Sequence, residues 1–328
     1  MPDSPCISNF GYLDSPNFLI LTLHIQTAIS TPIYFLGFYC ILFKTPEAMK
    51  SVKWYLLVLH FWIVLFDYTI CILTVPYILI PEFAGIPLGI LSYMGVPASL
   101  QTVGTFAVFF FMLTSIVAIY ENRFFILCEF RWKPTWGYCR RVWLFLHHVL
   151  MVLVLIPVFQ LIPEQEKARA EVFRNLPCLP SYIYQEEVLV MAVDVTYDIV
   201  ALSSTLIMCC FEAGFFIYQM IHNVREQQRS KRMSRKTFKM HKQLFMALVI
   251  QSTIPLFTLI LTMFYAIITS VLSYYNQALI NFCFVICTTH GFVSTVVMIL
   301  VHKPYRLAVL GMIRREEKSP VPSVIYVL

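Results

Sequence analysis

The chain has 328 residues, and its composition is far from that of a soluble domain. Hydrophobic residues make up 59% and charged residues only 13%, whereas soluble domains carry roughly 25% charged residues. A soluble fold needs charged side chains to cover its surface. The composition therefore excludes a soluble enzyme, a disordered regulator and a nucleic-acid-binding domain.

Seven apolar runs are each long enough to cross a bilayer, since a transmembrane helix needs about 20 residues. The runs cover residues 18–43, 54–80, 97–120, 142–162, 188–218, 244–272 and 278–301. They are apolar on every face, unlike barrel strands, which alternate. We predict an all-α membrane protein with a seven-transmembrane helix bundle over 18–301. Residues 1–17 precede it, 302–328 form a tail, and the Pro- and Gly-rich segment 81–96 is predicted to be a short loop.

The basic residues predict how the chain crosses the membrane. Of 24 lysines and arginines, 21 lie in segments 44–53, 121–141, 219–243 and 302–328. The seven predicted spans place these four segments on the same side of the membrane. By the positive-inside rule, the N-terminus lies outside and the C-terminus in the cytoplasm. The basic residues that give the net charge of +6 then face the inner leaflet of the lipid bilayer and cytoplasmic partners. We therefore expect no nucleic-acid partner.

Five motifs occur in order along the chain. They are Ser15-Pro16-Asn17-Phe18-Leu19, the stretch from Pro32-Ile33-Tyr34 to Trp54, Pro87-Leu88-Gly89, Glu121-Asn122-Arg123 and His302-Lys303-Pro304-Tyr305-Arg306. Together they resemble the nematode serpentine receptor class H chemoreceptors over nearly the whole chain. The resemblance implies a seven-transmembrane G-protein-coupled receptor that detects an external small molecule, without naming it, and signals to a heterotrimeric G protein. It also implies the plasma membrane of sensory neurons, in their cilia.

The resemblance also points to a switch where spans 3 and 7 end. In related receptors an acidic-Arg pair holds the inactive state, but Glu121 and Arg123 are two residues apart and do not face each other on a helix. Arg123 is therefore a switch residue or a plain interfacial anchor. After span 7, Pro304 predicts a turn into a surface helix over 307–315, and Tyr305 is either a gating residue or an aromatic-belt anchor beside Arg306.

Acidic residues inside the predicted spans are candidates for functional sites, because charge is costly in a membrane. Asp67 in span 2 is a candidate ion or water site, or a structural acid. In span 5, helical spacing places Asp194, Asp198 and Glu212 on one polar stripe. Asp194 and Asp198 are predicted to bind a cationic ligand, to share protons with each other, or to pair with a structural partner on a neighbouring helix.

Other residues in the outer halves of the spans complete a candidate ligand pocket, although ordinary helix packing explains them equally well. These candidates are His24, Gln101, Thr105, Tyr197 and Tyr265. Pro255 in span 6 is the predicted hinge, by analogy with the movement of that helix in related receptors.

Among ten cysteines, only Cys6 and Cys178 are predicted to face the oxidising outside. A Cys6–Cys178 disulfide is therefore the available outer bridge, and it would fold the N-terminal segment over the second outer loop.

No catalytic residues, cofactor or metal site are predicted. His147 and His148 are adjacent and point apart, which is poor geometry for a metal. The competing interpretation is a secondary transporter that uses the intramembrane acids of spans 2 and 5.

Overall fold

The computed structural model describes residues 10–176, 178–230 and 234–316. Seven of its helices are long and apolar enough to span a membrane. These are α1 (Pro16–Phe43), α2 (Lys50–Tyr68, continued by a π-helical turn over Thr69–Thr74), α4 (Ala98–Leu127), α5 (Lys133–Gln160), α7 (Thr196–Arg229), α8 (Arg235–Val271) and α9 (Gln277–Val301). The prediction of an all-α bundle of seven membrane-spanning helices is confirmed.

Local sequence signals explain where several helices begin. The Ser15 side chain accepts a hydrogen bond from the Phe18 amide at 3.2 Å, and Pro16 occupies the first helical position of α1. Asn276 caps α9 in the same way through the Leu279 amide at 3.1 Å.

Shorter elements lie between the long helices. Helices α3 (Ile90–Tyr93) and α6 (Gln165–Asn175) precede α4 and α7, and α10 (Lys303–Glu316) follows α9. Strands β1 (Pro76–Leu79), β2 (Ala84–Pro87) and β3 (Leu189–Val190) form one antiparallel sheet in the order β1-β2-β3. We call the end of the bundle that carries this sheet the sheet end. The opposite end, with the α4–α5 turn and α10, is the basic end.

The second predicted span, 54–80, ends earlier than expected. Its helical part stops at Thr74, and Val75 takes a left-handed conformation with φ of 42° before Pro76. A residue before proline is disfavoured in the right-handed helical region, which explains the break. Residues 76–79 then pair with 84–87 inside the segment predicted to be a loop.

The fifth predicted span, 188–218, differs at both ends. Residues 189–190 form β3 on β2, with Ala84 opposite Val190, and helix α7 runs only from Thr196 to Arg229. The apolar run therefore joins a strand to a helix. At the basic end, α4 and α5 extend through most of the segment 121–141, which leaves only residues 128–132 as a turn.

Helix α4 is the centre of the bundle and packs against α2, α5 and α7, while α8 packs on α9 and α9 on α1. From Met112 to Arg123 every residue of α4 is buried. A second apolar cluster lies at the sheet end, where the sheet packs on α6 and the start of α1 through residues such as Tyr77, Val172, Val190 and Leu19. The sheet therefore forms a covering layer over the bundle.

Candidate functional site

A cavity of about 200 Å³ lies directly beneath the sheet. Its roof contains Ile78 of β1, Ile86 of β2 and Leu189 of β3, and its walls come from α2, α4, α7, α8 and α9. Aliphatic and aromatic side chains form most of the lining, and its aromatic members on the helices are Phe66, Phe106, Phe109 and Phe284. A concave, predominantly apolar site with few polar groups is typical of small-molecule binding.

The polar side chains of the cavity wall are neutral. Two of them, Gln101 and Thr105, were candidates from the sequence, and Thr74, Thr102 and Thr262 join them. None of the described residues that line the cavity is acidic or basic.

The predicted polar stripe of span 5 does not exist as one helical face. Asp194 precedes α7, is exposed, and accepts a hydrogen bond from the Thr196 amide at 2.9 Å. Hydrogen bonds from Thr196 lower the pKa of this carboxyl. The stripe assumed a helix running through residue 194, whereas the helix starts at Thr196, so Asp194 and Glu212 have no helical register in common.

The remaining pocket candidates lie outside the cavity wall. Asp198 is buried in the first turn of α7, and its neighbour Tyr197 is partly exposed and donates to the Val154 carbonyl at 3.5 Å. His24 is exposed on α1, and Tyr265 is half-buried on α8.

Asp67 lies at the centre of a buried polar network that joins three helices. The Tyr34 hydroxyl of α1 donates to its carboxylate. Nδ1 of His290 on α9 lies 3.4 Å from Oδ1 but bonds the Cys287 carbonyl at 2.6 Å instead. Gly291 makes room for this network, because a Cβ there would collide with the Asp67 carboxylate and the Tyr34 hydroxyl. The described residues contain no group of three or more His, Cys, Asp or Glu arranged to hold a metal.

Glu212 of α7 has a partner that the sequence pattern did not suggest. Its Oε2 lies 2.9 Å from Nε2 of His147 on α5. This contact between two neighbouring helices gives both side chains a structural role.

At the basic end, Glu121 pairs with Arg140 and not with Arg123. Arg140 Nη2 of α5 lies 2.6 Å from Glu121 Oε2 and 3.0 Å from Asn122 Oδ1, and the Trp136 indole donates to Glu121 Oε1 at 2.7 Å. The α4–α5 hairpin brings these groups together. Sequence reasoning missed Arg140, because one arginine among several basic residues of the segment carries no distinguishing signal.

Arg123 points into the bundle instead. It is 4% exposed, and its Nε and Nη2 have no hydrogen-bond partner in the part of the chain that the structure describes. Its charge interacts electrostatically with His302 and Tyr305. Burial lowers the pKa of His302, and the Arg123 charge lowers it further.

Tyr305 ties α10 to the turn that follows α1 and is completely buried. Its hydroxyl lies 2.8 Å from the Thr45 hydroxyl, and burial raises its pKa. Helix α10 begins at Lys303, earlier than the predicted 307, and includes Pro304 in its first turn. Arg306 donates to the Leu300 carbonyl at 3.1 Å, across the junction with α9.

A second cavity, of about 230 Å³, opens at the basic end between α4, α7 and α8. Its lining is mainly apolar, including Leu127, Met220 and Phe245, with Arg225 and Lys242 as its basic members.

Cys178 is disulfide-bonded, while the eight other described cysteines are free. Cys6 lies outside the described residues, so the Cys6–Cys178 pairing stays a prediction.

Seven helices long and apolar enough to span a membrane, with an apolar cavity near one end and a buried arginine near the other, define a seven-helix membrane protein. The sequence profile described as serpentine type 7TM GPCR chemoreceptor Srh matches residues 14–315, and the chain belongs to this family. It is 25% identical to serpentine receptor class H-72 of Caenorhabditis elegans over 327 residues, which covers 98% of this chain and 92% of that protein. The family is one of receptors and not of enzymes.

Proposed function

We propose that this chain is a chemosensory receptor that binds an external small molecule in the cavity beneath the sheet and signals to a heterotrimeric G protein. The observation that carries the proposal is the cavity itself. Its walls come from α2, α4, α7, α8 and α9. A molecule bound there touches helices that continue to the opposite end of the bundle.

The proposed orientation places the sheet end outside and the basic end in the cytoplasm. Basic residues are concentrated at the end of the bundle that carries the α4–α5 turn and α10, and the positive-inside rule assigns such an end to the cytoplasm. The plasma membrane, and the cilia of sensory neurons within it, are the proposed location, in keeping with the family.

Signalling requires a ligand that binds one helix arrangement better than another. Helices α4, α7 and α8 each line both the cavity beneath the sheet, the upper cavity, and the cavity at the basic end, the lower cavity. We place the moving element at α8, because it alone of these three helices contains a proline. On α8, Leu259 and Thr262 line the upper cavity and Phe245 lines the lower one. Pro255 lies between these contacts and is the proposed hinge.

The switch at the basic end contains two clusters. In the first, Glu121 holds α4 against α5 through Arg140. In the second, Arg123 lies beside Tyr305, which Pro304 and Arg306 place at the α9–α10 junction. Because Arg123 keeps unsatisfied donors, a rearrangement that supplies acceptors to it is favourable. The G protein is the proposed source of such acceptors.

A ligand screen in cells with a calcium or cAMP reporter tests this function. Leu202→Trp places an indole in the cavity, and we expect it to abolish responses at equal surface expression. The control is Asp194→Asn, which alters an exposed carboxyl away from the cavity and should leave responses intact. Responses that survive in Leu202→Trp and disappear in Asp194→Asn would instead favour a cation site at the aspartates.

A further inference from the structure

Gln101 of α4 differs from the other polar residues of the upper cavity because it is both buried and incompletely bonded. It lines the cavity and is 3% exposed. Its Oε1 has no hydrogen-bond partner among the described residues. A buried acceptor without a partner costs about 1–3 kcal/mol, so the site gains if the side chains around Oε1 shift enough to admit a donor.

The orientation of the Gln101 amide follows from its neighbours. Nε2 lies 2.8 Å from the Val96 carbonyl and 3.1 Å from the Ser92 hydroxyl. A carbonyl only accepts, so the amide nitrogen must face Val96. The Ser92 hydroxyl donates its own proton to the Pro87 carbonyl at 2.7 Å and therefore accepts from Gln101. Both amide hydrogens are engaged, and the free atom is the acceptor Oε1.

The threonines of the cavity wall have also used their protons. Each hydroxyl donates to a backbone carbonyl within its own helix or helical turn. The four bonds are Thr74 to Thr69 at 2.6 Å, Thr102 to Ala98 at 3.0 Å, Thr105 to Gln101 at 2.8 Å and Thr262 to Thr258 at 2.9 Å. The hydroxyl oxygens can still accept. The amide and hydroxyl groups of this wall therefore offer acceptors to a bound molecule.

The size and polarity of the cavity restrict the ligand further. A cavity of about 150 Å³ in another protein holds benzene, so the 200 Å³ here suits a molecule of ~8 non-hydrogen atoms. An ion would lose its hydration without finding an opposite charge among the described lining residues.

From these observations we propose that the ligand is a small, neutral, mostly apolar molecule that carries a hydrogen-bond donor, such as a hydroxyl group, and that Gln101 Oε1 accepts from it. This inference rests on the proposed function, because it names the ligand class of the same cavity. A ketone or ester of the same size places its own acceptor beside Gln101 Oε1 and therefore binds more weakly.

Three probes with the same ring test the ligand class: cyclohexanol, cyclohexanone and cyclohexylammonium. Binding to the purified full chain in detergent is measured from the rise in unfolding temperature with probe concentration. A thiol-reactive dye reports unfolding, because buried free cysteines such as Cys71 and Cys287 become accessible. Binding that Leu202→Trp removes is assigned to the cavity.

We expect cyclohexanol to bind about tenfold more tightly than cyclohexanone, and cyclohexylammonium not to bind in the cavity. Gln101→Leu should equalise the alcohol and the ketone. The matched control is Gln251→Leu. Gln251 is also a buried glutamine with an unpartnered Oε1, but it does not line the cavity. This variant should keep the preference.

Equal binding of alcohol and ketone to the wild-type chain, no binding of either, or tighter binding of the ammonium ion would overturn the proposal. So would a preference that persists in Gln101→Leu. The wild-type comparison needs no variant, so it decides the question even if Gln101→Leu does not fold. The assay contains no G protein. Loss of signalling in cells with the binding preference intact would therefore count against the proposed function alone.

Discussion

Glu121 and Arg123 show how one helix sends neighbouring charges to different partners. Two residues apart on α4, they face different directions. Glu121 meets Arg140 and Trp136 of α5, whereas Arg123 turns toward His302 and Tyr305. The two-residue spacing predicts that Glu121 and Arg123 do not bond each other directly. It does not identify Arg140 of α5 as the partner of Glu121.

Replacing Glu121 with Gln should lower the stability of the bundle. The side chains of Glu121 and Arg140 are only 4% and 14% exposed, so the change leaves a largely buried guanidinium without its counter-charge. The expected loss is about 3 kcal/mol, measured by thermal unfolding in detergent. Glu226→Gln is the control, because its pair with Arg229 is exposed and should contribute ~0–1 kcal/mol. Similar losses in both variants would contradict the structural role of Glu121.

Gly291→Ala should prevent correct folding, because the new methyl group would collide with the Asp67 carboxylate and the Tyr34 hydroxyl. Both atoms belong to a packed network that cannot retreat easily. Gly104→Ala on α4 is the matched control. Nothing lies within 4 Å of its added Cβ, so that variant should gain up to about 1 kcal/mol in helix propensity. The measurement is the yield of monodisperse protein, and equal yields would refute the tight packing at Gly291.

At the scale of elements, the packing of α8 on α9 compensates for a proline. Pro255 has no N–H to donate to the carbonyl of Gln251, four residues before it. The Ser294 hydroxyl of α9 donates to that carbonyl instead, at 3.3 Å. The hinge candidate is therefore held by a bond between helices, which can break and re-form as the helices move.

A double-mutant cycle tests whether the Ser294 hydroxyl replaces the helical hydrogen bond that Pro255 cannot make. Ser294→Ala alone should destabilise the protein by about 1–3 kcal/mol, since it leaves the buried Gln251 carbonyl unpaired. In a Pro255→Ala background the helix supplies its own N–H, so the same change should cost much less. Thermal unfolding of the two single variants and the double variant gives the coupling. Additive losses would mean that Ser294 does not replace the missing helical bond.

The strands show why some elements escaped prediction. Residues 76–79 and 189–190 lie inside or beside long apolar runs, and short apolar segments look alike in strands and buried helices. The existence of seven spans depends on length and composition alone and was predictable. The roof of the cavity depends on pairing between segments about 100 residues apart, as in Gly85 opposite Leu189, and no local pattern encodes it.

Some residues of the candidate site were likewise predictable from the sequence, and others were not. Gln101 and Thr105 were predicted from their position in the outer half of a span, and both line the cavity. Asp194 and Asp198 were chosen for their charge, but Asp194 precedes α7, Asp198 is buried in its first turn, and neither lines the cavity. The apolar character of the cavity comes from residues that no sequence pattern separates from ordinary core.

At the scale of the whole molecule, the distribution of basic charge predicts the orientation. An epitope tag fused before Met1 should bind antibody on intact cells, and a tag after Leu328 should bind only after permeabilisation. Flow cytometry of the two fusions measures this. The reverse pattern would place the sheet end, with its cavity, in the cytoplasm and would exclude detection of an external molecule there.

Ligand-dependent nucleotide exchange on a purified heterotrimeric G protein, reconstituted with this chain in lipid, tests the central claim most directly. A panel of small neutral alcohols is applied to the wild-type chain and to Leu202→Trp, and the uptake of labelled guanine nucleotide is followed. We predict that at least one panel member accelerates exchange with the wild-type chain and not with Leu202→Trp. No acceleration by any panel member, together with passage of a labelled member across liposomes that contain the chain alone, would contradict the receptor account and favour a transporter.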